Sequence, residues 1–307
     1  MRLRFWLTRA IPLIISTALL ALIVWWVSPE ALLRAAAQLR WELLLPVTAA
    51  MVISLYLWDA FCLPAIYGLD GRQLPYRKAL HIRGLSYLGG ALNYELGHAA
   101  IAWGMARLQQ TGMLRMLSRS VLLAYHDAVI LLAVGLAGAM LTDDERVVRI
   151  RPFIAIALAA AILIGIVIWS LPDKVRARIV TGRIDEILAG WSLRRSLRLV
   201  PLRIGYFAIL VVYAAIALAI CRISVDHEVV LSTIPLVLLA DGLPNFAGLG
   251  TRETSLLLLL APPEPAALLA MSLIWSTGMI LIRFIIGLAH LWCHELLLRP
   301  NRSGGTP

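Results

Sequence analysis

The sequence is poor in charged residues. Of its 307 residues only 15% are charged and 61% are hydrophobic, and the mean hydropathy is +0.84. A soluble domain is usually close to half apolar and about a quarter charged, so this composition excludes an ordinary soluble protein. No polar stretch is long enough to form a sizeable soluble domain. The composition therefore predicts a protein that crosses a membrane several times.

Cysteine is also scarce. The three cysteines, Cys62, Cys221 and Cys293, lie in or beside apolar segments and show neither CxxC nor paired spacing. They are typical of small buried hydrophobic residues, and they support neither a disulfide framework nor a metal site. We therefore expect no metal and no cofactor.

What the sequence has instead is long apolar runs. Crossing a bilayer as a helix takes about 20 mostly apolar residues. Apart from the six uninterrupted runs given below, two apolar stretches, at about 85–106 and 229–261, are interrupted by polar residues and glycine. Prolines at 46, 152, 201 and 265 are expected at helix starts, where a missing N–H does no harm. Six uninterrupted stretches meet the length: Leu7–Val27, Leu43–Tyr67, Ser120–Leu141, Pro152–Leu171, Ile204–Cys221 and Ala266–His290.

The net charge of +10 raises the question of nucleic acid binding. We take the first apolar stretch as an uncleaved anchor and assume that each interrupted stretch returns to the side of the membrane from which it entered. Twenty of the 28 basic residues then fall on one side of the membrane and six on the other. This follows the positive-inside rule and predicts that both termini are cytoplasmic. The basic charge then reflects topology, with anionic lipid headgroups as its partner rather than nucleic acid. Two linkers, Asp173–Arg198 and Pro29–Glu42, have the pattern of helices lying on the membrane surface.

The two halves of the chain resemble each other. Gly90–Tyr94 matches Gly242–Phe246 at an offset of 152, and this shift also aligns the three spans of one half with those of the other. Three spans per half require the second copy to be inverted, an architecture found in transporters. We predict an all-α polytopic membrane protein with six transmembrane helices and two re-entrant broken helices. It forms a single domain over 1–307, with inverted halves 1–150 and 151–298 and a disordered tail at 299–307.

The second re-entrant stretch contains the residues best suited to binding a ligand. They are Asp241, Asn245, Gly248, Gly250, Arg252 and Glu253. Glycines let backbone approach a ligand, and a helix N-terminus favours an anion. Arg252 carries a donor fork suited to phosphate or carboxylate, and Glu253 either positions Arg252 or exchanges a proton. In the alternative interpretation, Arg252 pairs with Glu253 or Asp241 only to stabilise the fold.

The first re-entrant stretch contributes Asn93, Glu95 and His98. Glu95 and His98 are three residues apart, so a helix would place them on one face, near each other or near Arg252. The alternative is that they are buried polar groups satisfied at a helix break. In the spans, Asp127 and Arg283 lie at similar depth and are predicted to pair.

Gly248-Leu249-Gly250-Thr251-Arg252-Glu253 resembles the Gly-Leu-Gly-x-Arg-Glu motif of the lysylphosphatidylglycerol synthase transmembrane region and its stand-alone, flippase-like relatives. Gly97-His98 stands where that family has a Gly-acid step. The resemblance covers nearly the whole chain and extends to stand-alone members, some of which belong to hopanoid pathways. It implies lipid translocation in the bacterial inner membrane. It also implies no lysyl transfer, which in the family needs a separate soluble domain.

Three functions follow as hypotheses. The first is translocation of a phospholipid or related amphiphile, with its headgroup bound at the paired re-entrant helices. The second is an integral-membrane enzyme such as a lipid phosphatase. The hydroxyls beside Arg252 (Thr251, Thr254 and Ser255) have no base spaced to activate them, so this receives little support. The third is a scaffold that binds lipid-biosynthesis enzymes.

Overall fold

A computed structural model describes residues 17–68, 74–91, 94–170, 193–241, 250–262 and 264–292. All regular secondary structure within these ranges is helical. The eleven described helices are α1 (Thr17–Val27), α2 (Pro29–Gln38), α3 (Trp41–Tyr67), α4 (Tyr76–Gly90), α5 (Tyr94–Gln109), α6 (Met113–Leu141), α7 (Glu145–Ser170), α8 (Leu193–Ile220), α9 (His227–Asp241), α10 (Thr251–Leu260) and α11 (Pro265–Trp292).

Five of these helices, α3, α6, α7, α8 and α11, are long and apolar enough to cross a membrane. Helices α1 and α2 pass the same test only together and are bent by 84° where they meet. The prediction of an all-helical, multi-pass membrane protein is confirmed at this level. Of the first predicted span only the residues from Thr17 onward are described.

Several helices begin earlier than predicted. The helix α6 begins at Met113 rather than Ser120, and α8 already includes Leu193 rather than starting at Ile204. Hydropathy locates only the apolar part of a helix, whereas the helix itself continues through polar turns whose side chains find partners in the protein. Arg119 and Arg203, assigned to a cytoplasmic surface by charge pattern, therefore lie inside helices and are buried.

Of the four prolines predicted at or near helix starts, Pro265 is the first residue of α11, and the other three lie further inside their helices. Pro46, Pro152 and Pro201 lie inside α3, α7 and α8. Each sits five to eight residues after the first residue given for its helix, because the polar turns before it are helical too. The segment Pro29–Glu42, predicted to form a helix on the membrane surface, contains the helix α2. A second surface helix is predicted at Asp173–Arg198. Its residues up to 192 are not described, and the residues from 193 onward form the beginning of α8.

The first interrupted stretch is a helical hairpin. A Cβ on Gly97 in α5 would lie 3.1 Å from the Gly90 Cα at the end of α4, and a Cβ on Gly104 would meet Ile82. These contacts bring the start of α5 against the end of α4 and the end of α5 against the middle of α4, so the chain turns back on itself. Glycine permits this close approach because it has no side chain.

The second interrupted stretch is also broken. Helix α9 ends at Asp241 and α10 begins at Thr251, and the two pack against each other. Each interrupted stretch thus contains two separate helices that pack against each other. The long helices surround these hairpins: α6 packs on α9, α11 on α4, and α3 on α8. The largest apolar core cluster includes residues of α3, α6, α8, α9, α10 and α11.

The buried side chain of Arg119 caps the C-terminal end of α3. Arg119 Nη1 of α6 donates hydrogen bonds to the carbonyl oxygens of Tyr67 at 2.5 Å and Gly68 at 2.9 Å. Gln109 Nε2 also donates to the Tyr67 carbonyl, at 3.1 Å. The last carbonyls of α3 have no partner within the helix and carry its negative dipole, so a cation there is stabilising.

Candidate ligand cavity and its charged walls

A cavity of about 410 Å³ lies where both broken stretches meet the long helices. Its wall is formed mainly by α6, α8, α9, α10 and α11, together with Gly90 at the end of α4. Apolar side chains such as Leu131, Leu210 and Val237 cover much of it. Its charged lining consists of Asp127, Arg203, Asp241, Arg252 and Arg283. The cavity is therefore amphipathic.

Arg203 of α8 is the centre of the first charged cluster. Its Nε and Nη2 donate to Asp127 Oδ1 and Oδ2 of α6 at 2.6 and 2.7 Å, a bidentate ion pair. Its Nη1 donates to Asp59 Oδ1 of α3 at 3.1 Å. Asp59 Oδ2 in turn lies 2.6 Å from Arg83 Nε of α4. Four helices are joined by two positive and two negative side chains.

Burial makes this cluster expensive unless every charge is paired. Arg203 is only 4% exposed, Asp59 6% and Asp127 8%. Removing an ion from water costs several kcal/mol, which attraction between well-placed partners offsets. The Arg203 guanidinium also lies 4.0 Å above the Tyr206 ring and 5.3 Å from that of Phe207, so cation–π contacts add to its stabilisation.

The predicted pair between Asp127 and Arg283 is wrong. Both oxygens of Asp127 accept from Arg203. The two predicted partners do lie on the wall of the same cavity. Arg203 of α8, rather than Arg283 of α11, reaches both oxygens of Asp127. The sequence signal for Arg203 is its position directly before the apolar run of α8, where the longer helix buries its side chain.

The second cluster joins the two broken helices. Arg252 Nε of α10 donates to Asp241 Oδ2 at 2.8 Å, and its Nη2 donates to the same oxygen. Arg252 Nη1 also donates to Ser276 Oγ of α11 at 3.3 Å. Of the alternatives open from sequence, Arg252 therefore pairs with Asp241. It still borders the cavity, so pairing and ligand contact are compatible.

Glu253 lies beside Arg252 but has different partners. Its Oε2 accepts the Gly250 N–H at 2.7 Å, and its Oε1 accepts the hydroxyls of Ser272 and Ser276 at 3.2 and 2.9 Å. The side chain is fully buried. A carboxylate three residues into a helix that accepts an N-cap N–H is half of a capping box. Glu253 thus holds the start of α10 and fixes it to α11.

Gly250 is the residue that permits this turn. Its φ of 86° lies in the region that other residues rarely adopt. The helix N-terminus that sequence analysis offered to a phosphate already binds the Glu253 carboxylate at the Gly250 N–H. The expected anion site on these amides is therefore partly filled by the protein itself.

Arg283 of α11 differs from the other cavity arginines. It forms no hydrogen bond or ion pair with any described residue, and its Nε is buried without an acceptor. Its guanidinium carbon lies 5.6 Å from the centre of the Tyr87 ring. The α11 residues Trp275, Met279 and Arg283 line the cavity at intervals of four, so one face of this helix forms the wall. Trp275 is buried.

The remaining predicted site residues are placed less completely. Asn93, Asn245 and Gly248 lie outside the described residues, as does the side chain of Glu95 at the start of α5. His98 lies within electrostatic range of Asp59, Arg83 and Arg203, on the side of the first cluster. The structure therefore associates His98 with the Arg203 cluster rather than with Arg252.

Sequence analysis missed a histidine pair. His81 Nδ1 of α4 and His290 Nδ1 of α11 are 3.2 Å apart, and His290 Nε2 lies 2.7 Å from the Tyr56 hydroxyl of α3. The Tyr56 hydroxyl donates to the Leu80 carbonyl at 3.1 Å, so it accepts from His290. In the described part of the chain, no three His, Cys, Asp or Glu side chains are grouped as metal ligands.

No protein-family model and no curated protein matches this chain.

Proposed function

We propose that this protein moves a phospholipid or related amphiphile between the two leaflets of the bacterial inner membrane. The observation that carries the proposal is the cavity between the broken helices, which has charged groups on one part of its wall and apolar groups on the rest. A headgroup has a place among the charges, and the apolar wall accommodates the beginning of the acyl chains. The volume of about 410 Å³ falls in the range of small-ligand pockets, so it suits a headgroup rather than a whole lipid.

The finer architecture belongs to the same proposal. The sixth span is Leu7–Val27, of which α1 is the described part, and the hairpins α4–α5 and α9–α10 enter from opposite faces with both termini cytoplasmic. The packing supports an inverted repeat of 1–150 and 151–298, because α6 on α9 becomes α11 on α4 when the halves are exchanged. The contact between α3 and α8 is its own counterpart. Transporters use such repeats to alternate access.

The hydroxyls near Arg252 favour transport over nucleophilic catalysis. Ser272 and Ser276 donate to the Glu253 carboxylate, and Thr254 donates to the Gly250 carbonyl. A serine or threonine nucleophile needs a base that takes its proton toward a substrate. Glu253, the carboxylate that accepts from both serines, is fully buried, does not line the cavity and already accepts from three donors. The resemblance of 248–253 to the flippase-like motif agrees with this choice.

The test is lipid movement in vesicles that contain the purified full-length chain. Fluorescent phosphatidylglycerol in the outer leaflet is bleached with dithionite, and the protected fraction is followed over time. Wild-type vesicles should exchange the lipid faster than empty vesicles. Arg252→Ala should slow exchange about tenfold or more, because it removes the hydrogen bonds to Asp241 and Ser276 that hold the charged part of the cavity wall in place. The control is Arg149→Ala, an exposed arginine on α7. Equal rates in empty and wild-type vesicles would refute translocation.

A further inference from the structure

The five charged side chains on the cavity wall do not balance. Asp127 is neutralised by Arg203 and Asp241 by Arg252, each through two hydrogen bonds. Arg283 is the fifth, and no described carboxylate pairs with it. The described charged lining thus has three positive and two negative groups, a net charge of +1.

The carboxylates nearest to this region are already occupied. Asp59 binds both Arg83 and Arg203, and Asp127 uses both oxygens for Arg203. Moving either to Arg283 would leave Arg203, which is 4% exposed, without its partner. A buried charge left without its partner costs several kcal/mol, so the cluster does not rearrange to neutralise Arg283. Asp241 also acts electrostatically on Arg283, but its Oδ2 accepts both hydrogen bonds from Arg252. Among the described residues Arg283 therefore has no hydrogen-bonded counter-ion.

The neighbours of Arg283 define what kind of ligand fits. On its own helix Met279 and Trp275 continue the wall, and Leu210 and Phe207 of α8 line the same cavity. A guanidinium beside an apolar wall suits a molecule that has an anionic group joined to an apolar body. A small inorganic anion would satisfy the charge but leave the apolar part of the cavity unfilled.

We infer that Arg283 binds the anionic group of the lipid headgroup, and that the cavity selects amphiphiles whose headgroup carries one negative charge. This inference rests on the proposed function and adds the substrate class. A headgroup with one negative charge neutralises the lining. A zwitterionic headgroup has no net charge, so its anionic group is shared between Arg283 and its own cation and the lining keeps its net charge. A cationic headgroup is repelled. Arg203 and Arg252 position the wall, whereas Arg283 contacts the anion.

The experiment measures binding and movement separately. Native mass spectrometry of the full-length chain compares retention of phosphatidylglycerol, phosphatidylcholine and cationic ethylphosphatidylcholine, and the vesicle assay compares their exchange rates. Wild type should prefer them in that order. Arg283→Gln should reduce the preference for phosphatidylglycerol over phosphatidylcholine about tenfold or more, the usual effect of losing a hydrogen bond to a charged group. Arg283→Lys should keep most of it.

Controls separate this role from a structural one. Arg149→Gln should preserve the lipid preference, since Arg149 is exposed on α7. Arg283→Gln should also leave the thermal midpoint in detergent unchanged, because Arg283 has no described ion pair to lose. A strong loss of thermal stability without any change in lipid preference would overturn the inference.

The outcomes distinguish the inference from the proposed function. Rapid exchange of all three lipids with equal rates, unaffected by Arg283→Gln, refutes selection at Arg283 and leaves translocation intact. Selective retention that depends on Arg283 without any exchange refutes translocation and supports the binding site. Displacement of phosphatidylglycerol by millimolar inorganic phosphate would show that the site takes a free anion, and would overturn the assignment to a lipid.

Discussion

Arg203 and Arg283 line the same cavity, yet their surroundings are opposite. Arg203 binds two aspartates and is almost completely buried, and those aspartates connect it to α3 and α6. Arg283 forms no hydrogen bond or ion pair with a described residue; its guanidinium lies 5.6 Å from the centre of the Tyr87 ring, and Asp59 and Asp241 act on it only electrostatically. A buried arginine with all its partners inside the protein stabilises the fold. An arginine at a cavity wall without a partner is available for a ligand, and this contrast leads to three predictions.

The largest effect is expected from Arg203→Gln. It leaves Asp127 buried without a counter-ion and should reduce the free energy of unfolding by about 3–5 kcal/mol. The measurement is unfolding in mixed detergent–SDS micelles, with Arg198→Gln as control because Arg198 lies on the same helix but is exposed. The double variant Arg203→Met/Asp127→Leu should recover part of the lost free energy of unfolding, because the unpaired Asp127 carboxylate is then removed as well. If Arg203→Gln were as stable as the control, the cluster would not be structural.

Asp241→Asn is expected to have an intermediate effect. It removes the counter-ion of Arg252, which keeps its hydrogen bond to Ser276 and borders the cavity. The free energy of unfolding should fall by about 1.5–3 kcal/mol. Because a second unpaired arginine then lines the cavity, phosphatidylglycerol should raise the thermal midpoint of this variant more than that of wild type.

Asp143→Asn is the control for that experiment, since Asp143 is exposed between α6 and α7. It should behave as wild type with and without lipid. If phosphatidylglycerol stabilised Asp241→Asn no more than wild type, then Arg252 would not gain contact with the ligand. The presence or absence of a counter-ion at a wall arginine would then have no effect on lipid binding.

The smallest effect is expected from Glu253→Ala. The change removes the acceptor of the Gly250 N–H and of two serine hydroxyls, and loss of a helix cap costs about 1–2 kcal/mol. The same unfolding assay applies. The control is Glu145→Ala, an exposed glutamate in the first turn of α7. A wild-type stability for Glu253→Ala would show that its hydrogen bonds contribute nothing to the start of α10.

Much of the helical architecture is predictable from sequence. Long apolar runs identify α3, α6, α7, α8 and α11, and their C-terminal ends agree with prediction to within two residues. The breaks near Gly90 and Gly250 are also predictable, because glycine and polar residues interrupt apolar runs there. Helix starts are not, since turns containing residues such as Arg119 and Arg203 are polar and only contacts with other helices keep them buried.

The site is predictable only as a set of residue types. Sequence identifies Asp241, Arg252 and Glu253 as unusual at membrane depth, and the structure places all three at the junction of α9, α10 and α11. It does not identify which carboxylate binds which arginine. Glu253 follows Arg252 directly in sequence, yet the two point to different partners because successive side chains of a helix are separated by about 100°.

By itself, the sequence determined the class of protein, the long helices and the two breaks. Those features follow from local composition, because a membrane requires apolar helices and a polar, glycine-rich segment interrupts them. Only the tertiary structure decided the charge pairing. Arg203 is 76 residues from Asp127 and 144 from Asp59, and their contact depends on the rotation and depth of three separate helices. That same packing left Arg283 at the cavity wall without a hydrogen bond or ion pair to a described residue.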